Sequence, residues 1–172
     1  MDGTPSTTNI RSGLTLVVGL GNPLLGDDGV GWRVAEQVEH QVEGAKFAVE
    51  VDYLAVGGLH LMERLVGYDR AILIDAVTTG REPAGSLSCF ALTDLPDVAG
   101  GHLSSAHDTT LQTALRLGRA LGVKLPDELV VVGVEADNSF DFAEELTPPV
   151  AAAVPRAVQM VIDLLSRCFR EE

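Results

Sequence analysis

Basic residues are scarce in this chain. Twelve Lys and Arg stand against 25 Asp and Glu over 172 residues, a formal charge of −13, and the few cations are scattered. A phosphate backbone is held by clustered Lys and Arg, so no nucleic-acid partner is expected. Cysteine is equally sparse. Cys89 and Cys168 are too few and too far apart for a disulfide framework and read as two buried free thiols. A reducing cytoplasm is therefore the expected setting. No apolar run reaches the roughly 18 residues needed to cross a bilayer, so no membrane insertion is expected. Residues 1–13 lack the apolar stretch of a signal peptide and read as a flexible tail ahead of a single α/β domain over 14–172. No repeat, low-complexity tract or domain boundary interrupts that domain, which is large enough to bury a core without staples.

What is present is concentrated first in Leu14–Gly31, LTLVVGLGNPLLGDDGVG. Its opening is apolar or β-branched apart from one glycine, the pattern of a strand buried on both faces. Gly19, Gly21, Asn22 and Pro23 then force a tight loop. Asp27 and Asp28 stand where Val30, Val34, Val38 and Val42 begin to recur at helical spacing. This strand–loop–helix unit recurs in outline. Strands are expected over Phe47–Ala55, Arg70–Val77, Ser86–Leu92 (near an edge) and Glu128–Ala136. Helices are expected around Leu59–Val66, from about His107 to Leu121, and from Pro148 onward, the last capped by Thr147 and kinked or split at Pro155. Such alternation predicts a three-layer α/β/α sandwich on a mainly parallel, about five-stranded twisted sheet.

Three side chains in this scheme could carry chemistry. Asp28 could be a helix N-cap, but one cap explains one carboxylate and leaves the second of the pair for another task. Asp75 ends an otherwise apolar strand, at the rim where open α/β sheets build their sites. Its alternative is to hold a neighbouring loop, since a carboxylate is rarely buried without partners. His107 lies in Ser104-Ser105-Ala106-His107-Asp108, where Ser105 and Asp108 have the form of a capping box. In a first helical turn the dipole disfavours imidazolium, and a neutral ring is what a metal ligand must be. An ordinary exposed residue at a helix start is the plainer alternative. His40, His60 and His102 have no comparable setting. Together Asp28, Asp75 and His107 form an O,O,N set suited to Zn²⁺ or Ni²⁺ with coordination positions left open, the arrangement of a hydrolytic centre. No His-Glu-x-x-His spacing supports it.

At these residues the sequence resembles the hydrogenase maturation proteases, endopeptidases that remove a C-terminal extension from the large subunit of nickel–iron hydrogenases once nickel is installed. The matching pieces are VVGLGNPLLGDDGVGWRVAE, AILIDAV, SSAHDTTLQTAL and VVGVEADNSFDFAEELTPPVAAAVPRAV, spread from Leu14 to about Leu165. The resemblance implies a phosphorylase/hydrolase-like sandwich and a monomer. It implies that Asp28, Asp75 and His107 are the metal ligands and catalytic residues. The metal would be nickel supplied by the precursor substrate, with zinc or cadmium able to take its place in vitro. The implied partner is a hydrogenase large-subunit precursor. One segment departs from the pattern. Many members carry Asp-Gly-Gly-Thr after the second strand, where this chain has Tyr53-Leu54-Ala55-Val56 followed by Gly57-Gly58. That segment is expected to face the substrate, so the departure concerns which precursor is processed.

Rival readings fare less well. Peptidyl-tRNA hydrolases also run a strand into Gly-Leu-Gly-Asn-Pro, present here as Gly19–Pro23. The histidine segment that should follow is replaced by LLGDDGVG, and the acidic charge opposes tRNA. A dinucleotide site lacks its third glycine, and Asp27 and Asp28 would repel a pyrophosphate. Ser104, Ser105 and Cys89 have no nucleophile context. A non-catalytic chaperone that holds the nickel-loaded precursor is the remaining alternative to a protease.

Overall fold

A computed structural model describes residues 11–45, 47–92, 110–137 and 142–168. Five strands, β1 (Arg11–Leu20), β2 (Val49–Leu54), β3 (Tyr68–Val77), β4 (Leu87–Ala91) and β5 (Glu128–Glu135), form one sheet in the order β2-β1-β3-β5-β4. All pairings are parallel except β4 with β5. The helices are α1 (Val30–Val42), α2 (Gly58–Arg64), α3 (Leu111–Ala120) and α4 (Pro148–Cys168). The expected sandwich on a mainly parallel five-stranded sheet is what forms, with β4 at an edge as expected.

Topology follows from handedness. The chain leaves β1 for β2 on one side, then returns past β1 to β3. Right-handed crossovers must therefore place α1 and α2 on opposite faces. One apolar layer joins Val34, Val38, Ile72, Ile74 and Val132 to Val154, Val158 and Val161 of α4. The other joins Leu16, Val18, Leu73 and Val131 to Leu61, Leu111 and Leu115. So α1 and α4 cover one face and α2 and α3 the other. Arg64 anchors α2 to the β2 edge by ion pairs with Glu50 and Asp52. The strand order reverses between β1 and β3, and the crevice beyond their C-terminal ends is where such sheets place ligands.

Several local expectations are corrected. Asp28 does not cap α1. A 3₁₀ turn, Gly26–Gly29, precedes that helix, whose cap residue is Gly29 with no side-chain hydrogen bond. The start of α3 moves to Leu111, because Thr110 has extended backbone and its hydroxyl accepts the Thr113 N–H at 3.3 Å. The capping box expected at Ser105–Asp108 lies outside the described residues. Pro155 does not split α4, which runs as one element of 21 residues. Cys89 is exposed, not buried, because β4 is an edge strand. The side chain of Cys168 lies outside the described residues. Of the tail expected over 1–13, residues 1–10 lie outside them too, and β1 already begins at Arg11.

By length and composition α4 is apolar enough to cross a membrane. Here its apolar stripe, Val150, Val154, Val158, Val161 and Leu165, is buried in the core.

Candidate active site

The loop after β1 is shaped by its glycines. Gly21 has φ +119°, and a Cβ there would lie 1.8 Å from the carbonyl oxygen of Asp28. Only glycine lets the chain double back so closely. The loop is then closed by Asp28 itself, whose Oδ2 accepts the Asn22 N–H at 2.7 Å. Asn22 Oδ1 in turn accepts the Leu24 N–H at 3.0 Å, an Asx turn. Asp28 is 5% exposed.

Asp75 arrives from β3. It falls in phase with Ala71 and Leu73, so it faces the layer of α2 and α3, and it is completely buried. Its lateral neighbour on β5 is Gly133, so no side chain stands beside it there. The segments that carry the two carboxylates are drawn together at Gly31. A Cβ on Gly31 would lie 2.2 Å from the Leu20 carbonyl oxygen and 2.4 Å from that of Ile74. The start of α1 is thus wedged between the ends of β1 and β3. Asp28 precedes this wedge by three residues and Asp75 follows Ile74 directly.

Two burials at the rim had no counterpart in the sequence reading. Asp27 is 4% exposed and bound to Thr147, Oδ1 accepting the backbone N–H at 2.7 Å and Oδ2 the hydroxyl at 2.8 Å. Glu135 is 5% exposed and accepts the N–H and hydroxyl of Thr79 and the N–H of Gly80, at 2.8–2.9 Å. The doubled Asp was the signal for the first; nothing in the sequence pointed to the second. Beside the loop, Trp32 and Tyr53 pack with ring centroids 5.5 Å apart. The Tyr53 hydroxyl donates to Glu39 at 2.6 Å. Burial, reinforced by that hydrogen bond, pushes its phenol well above the usual range and keeps it a donor.

His107 lies outside the described residues. Among the described residues no three His, Cys, Asp or Glu side chains gather as a metal cage; the two carboxylates are the described part of the expected set.

The model of the hydrogenase maturation protease family matches residues 32–164. The chain belongs to that family. It is 30% identical over 159 residues to the hydrogenase expression/formation protein HupD of Bradyrhizobium diazoefficiens, covering 92% of this chain and 81% of that protein. The protease shares its fold with the hydrogenase maturating endopeptidase HybD from E. coli (TM-score 0.68, 24% identity, 90% of this chain and 93% of that one). It is also similar to a hydrogenase 2 maturation peptidase from Thaumarchaeota archaeon SCGC_AB-539-E09. There the TM-score is 0.58 and the identity 27%, over 89% and 98% of the two chains. The protease is thus a peptidase of hydrogenase maturation on an α/β sandwich. The rim that bears Asp28 and Asp75 is its candidate centre.

Proposed function

We propose that this protease removes the C-terminal extension of a nickel–iron hydrogenase large-subunit precursor after nickel has been inserted. One observation carries the reading. Asp28 and Asp75 come from separate segments that Gly31 draws together at the switch point of the sheet, and both are buried. Bringing two carboxylates out of water costs several kcal/mol, which a fold does not bear for solubility. A cation bound there would offset part of that cost. Nickel arriving with the precursor would be ligated by Asp28, Asp75 and His107, the last on the assignment the resemblance implies. The metal supplies Lewis acidity beside the scissile carbonyl. The chain's own residues fix the ion's position, hold water by a carboxylate, and hold the peptide against both. Leu24, Val56 and Leu59 are exposed apolar side chains in the loop after β1 and around the start of α2. They offer the precursor an apolar rim; Val56 lies in the segment that departs from Asp-Gly-Gly-Thr and Leu59 follows it directly.

The test is mass spectrometry of a nickel-loaded large-subunit precursor incubated with the protease, beside a nickel-free one. Loss of a C-terminal peptide from the loaded sample alone is expected. Binding without cleavage would establish the chaperone alternative instead. A simpler measurement uses the chain's single tryptophan. Trp32 follows Asp28 by four residues, so Ni²⁺ should quench its fluorescence saturably, and a chelator should restore it.

A further inference from the structure

We infer that Asp27 is a positioning residue for the metal-binding carboxylate, acting through its clamp on Thr147. The inference rests on the proposed role of Asp28. Asp27 and Asp28 are consecutive in a 3₁₀ turn. There successive side chains point about 120° apart, so they cannot share a partner. One reaches the last helix and the other closes the loop beyond β1. With the intervening peptide shared, the direction of Asp28 is set by where Asp27 is tied.

The tie is specific. Both oxygens of Asp27 accept from one residue, Thr147, whose carbonyl takes the first hydrogen bond of α4, from Ala151 N–H at 2.8 Å. The first turn of α4 holds no acidic residue. A capping box would place one at the third helical position, which is Val150, a buried member of the apolar stripe. The chain instead recruits its acid from 120 positions away. A second tie runs alongside: Gly26 N–H donates to the Ala143 carbonyl at 2.6 Å and Ala143 N–H to that of Leu24 at 3.1 Å. The connection between β5 and α4 therefore holds the ligand loop from outside at two points. Asp28 holds it from inside through Asn22.

The molecule contains its own control. Glu135 and Thr79 make the same pair of contacts, a buried carboxylate accepting an N–H and a hydroxyl from one threonine. That clamp fixes the loop after β3 and involves no ligand loop. Thr147→Val and Thr79→Val each delete one hydroxyl facing a buried carboxylate, so similar falls in thermal midpoint are expected. Ni²⁺ affinity, read by Trp32 quenching on the full chain, should fall roughly tenfold or more in Thr147→Val. It should hold in Thr79→Val, and Thr147→Ser should restore it. With the loaded precursor, Thr147→Val should lower kcat more than it raises KM. Equal affinity in both valine variants, or a loss in both that tracks the midpoint, overturns the positioning role. Asp28→Asn separates this from the underlying reading. If it abolishes quenching while Thr147→Val does not alter it, the clamp is only a staple. If it binds like the parent, the ligand assignment itself falls, and the positioning role with it.

Discussion

Asp75→Asn is expected to leave the fold standing and to lower precursor cleavage by roughly a hundredfold or more. Asparagine keeps the volume of the side chain at a completely buried position, so no cavity opens and Leu73 and Gly133 keep their neighbours. It also keeps an amide oxygen, so a carboxylate that merely held a loop by accepting hydrogen bonds would be replaced at modest cost. What asparagine cannot keep is the charge. A cation held by two carboxylates and an imidazole loses half its compensating charge, and Lewis-acid help worth several kcal/mol weakens with it. The measurement pairs a thermal midpoint with single-turnover cleavage of the nickel-loaded precursor. A midpoint within a few degrees of the parent together with lost cleavage identifies a ligand. Normal cleavage would remove Asp75 from the site.

The second large effect is on stability. Helix propensity alone predicts that Gly31→Ala, inside α1, stabilises the chain by up to about 1 kcal/mol. The packing predicts the reverse. The added Cβ meets two backbone carbonyl oxygens, of Leu20 and Ile74, at 2.2 and 2.4 Å. Both belong to strands locked side by side in the centre of the sheet. Neither can retreat without breaking the ladder, so α1 must lift. A loss of about 3 kcal/mol or more follows, seen as a fall in midpoint of roughly 6–12 °C for a chain of this length. Gly118→Ala is the matched comparison. Its Cβ would approach Leu125 Cδ1 at 2.9 Å and Met62 Sδ at 3.0 Å, the far ends of flexible side chains. These can turn aside, so Gly118→Ala should be close to neutral by the same scan.

These contrasts show which parts of the molecule were legible in its letters. Strand β3 was, because RAILIDAV has one polar interruption and a central strand tolerates little else. Its Asp75 stood out for the same reason. The doubled Asp announced that one carboxylate had a second task, but not which. A cap was the local solution, and the chain chose a distant one. Asp28 turned back to Asn22, while Asp27 went to Thr147. Hydrogen bonds between residues so far apart leave no periodic mark. Glu135 was invisible for a related reason: at the end of an apolar strand it looks like a solvated terminus, yet it is buried under Thr79 and Gly80. The helix expected from about His107 is described from Leu111, where Thr110 with Thr113 forms the cap nearest the apolar stripe of α3.

The span of the Asp27–Thr147 clamp also orders events during synthesis. Residue 27 leaves the ribosome early, with β1 and the turn that bears both carboxylates. Its partner lies 120 positions later, at the head of the helix that completes the sandwich. Contacts so distant in sequence form late. A nascent chain therefore carries the Asp27–Asp28 turn before Thr147 exists, and the turn is tied only as the last helix docks. A chain truncated ahead of α4 is expected to retain Asp28 and Asp75 without the tie that sets the turn.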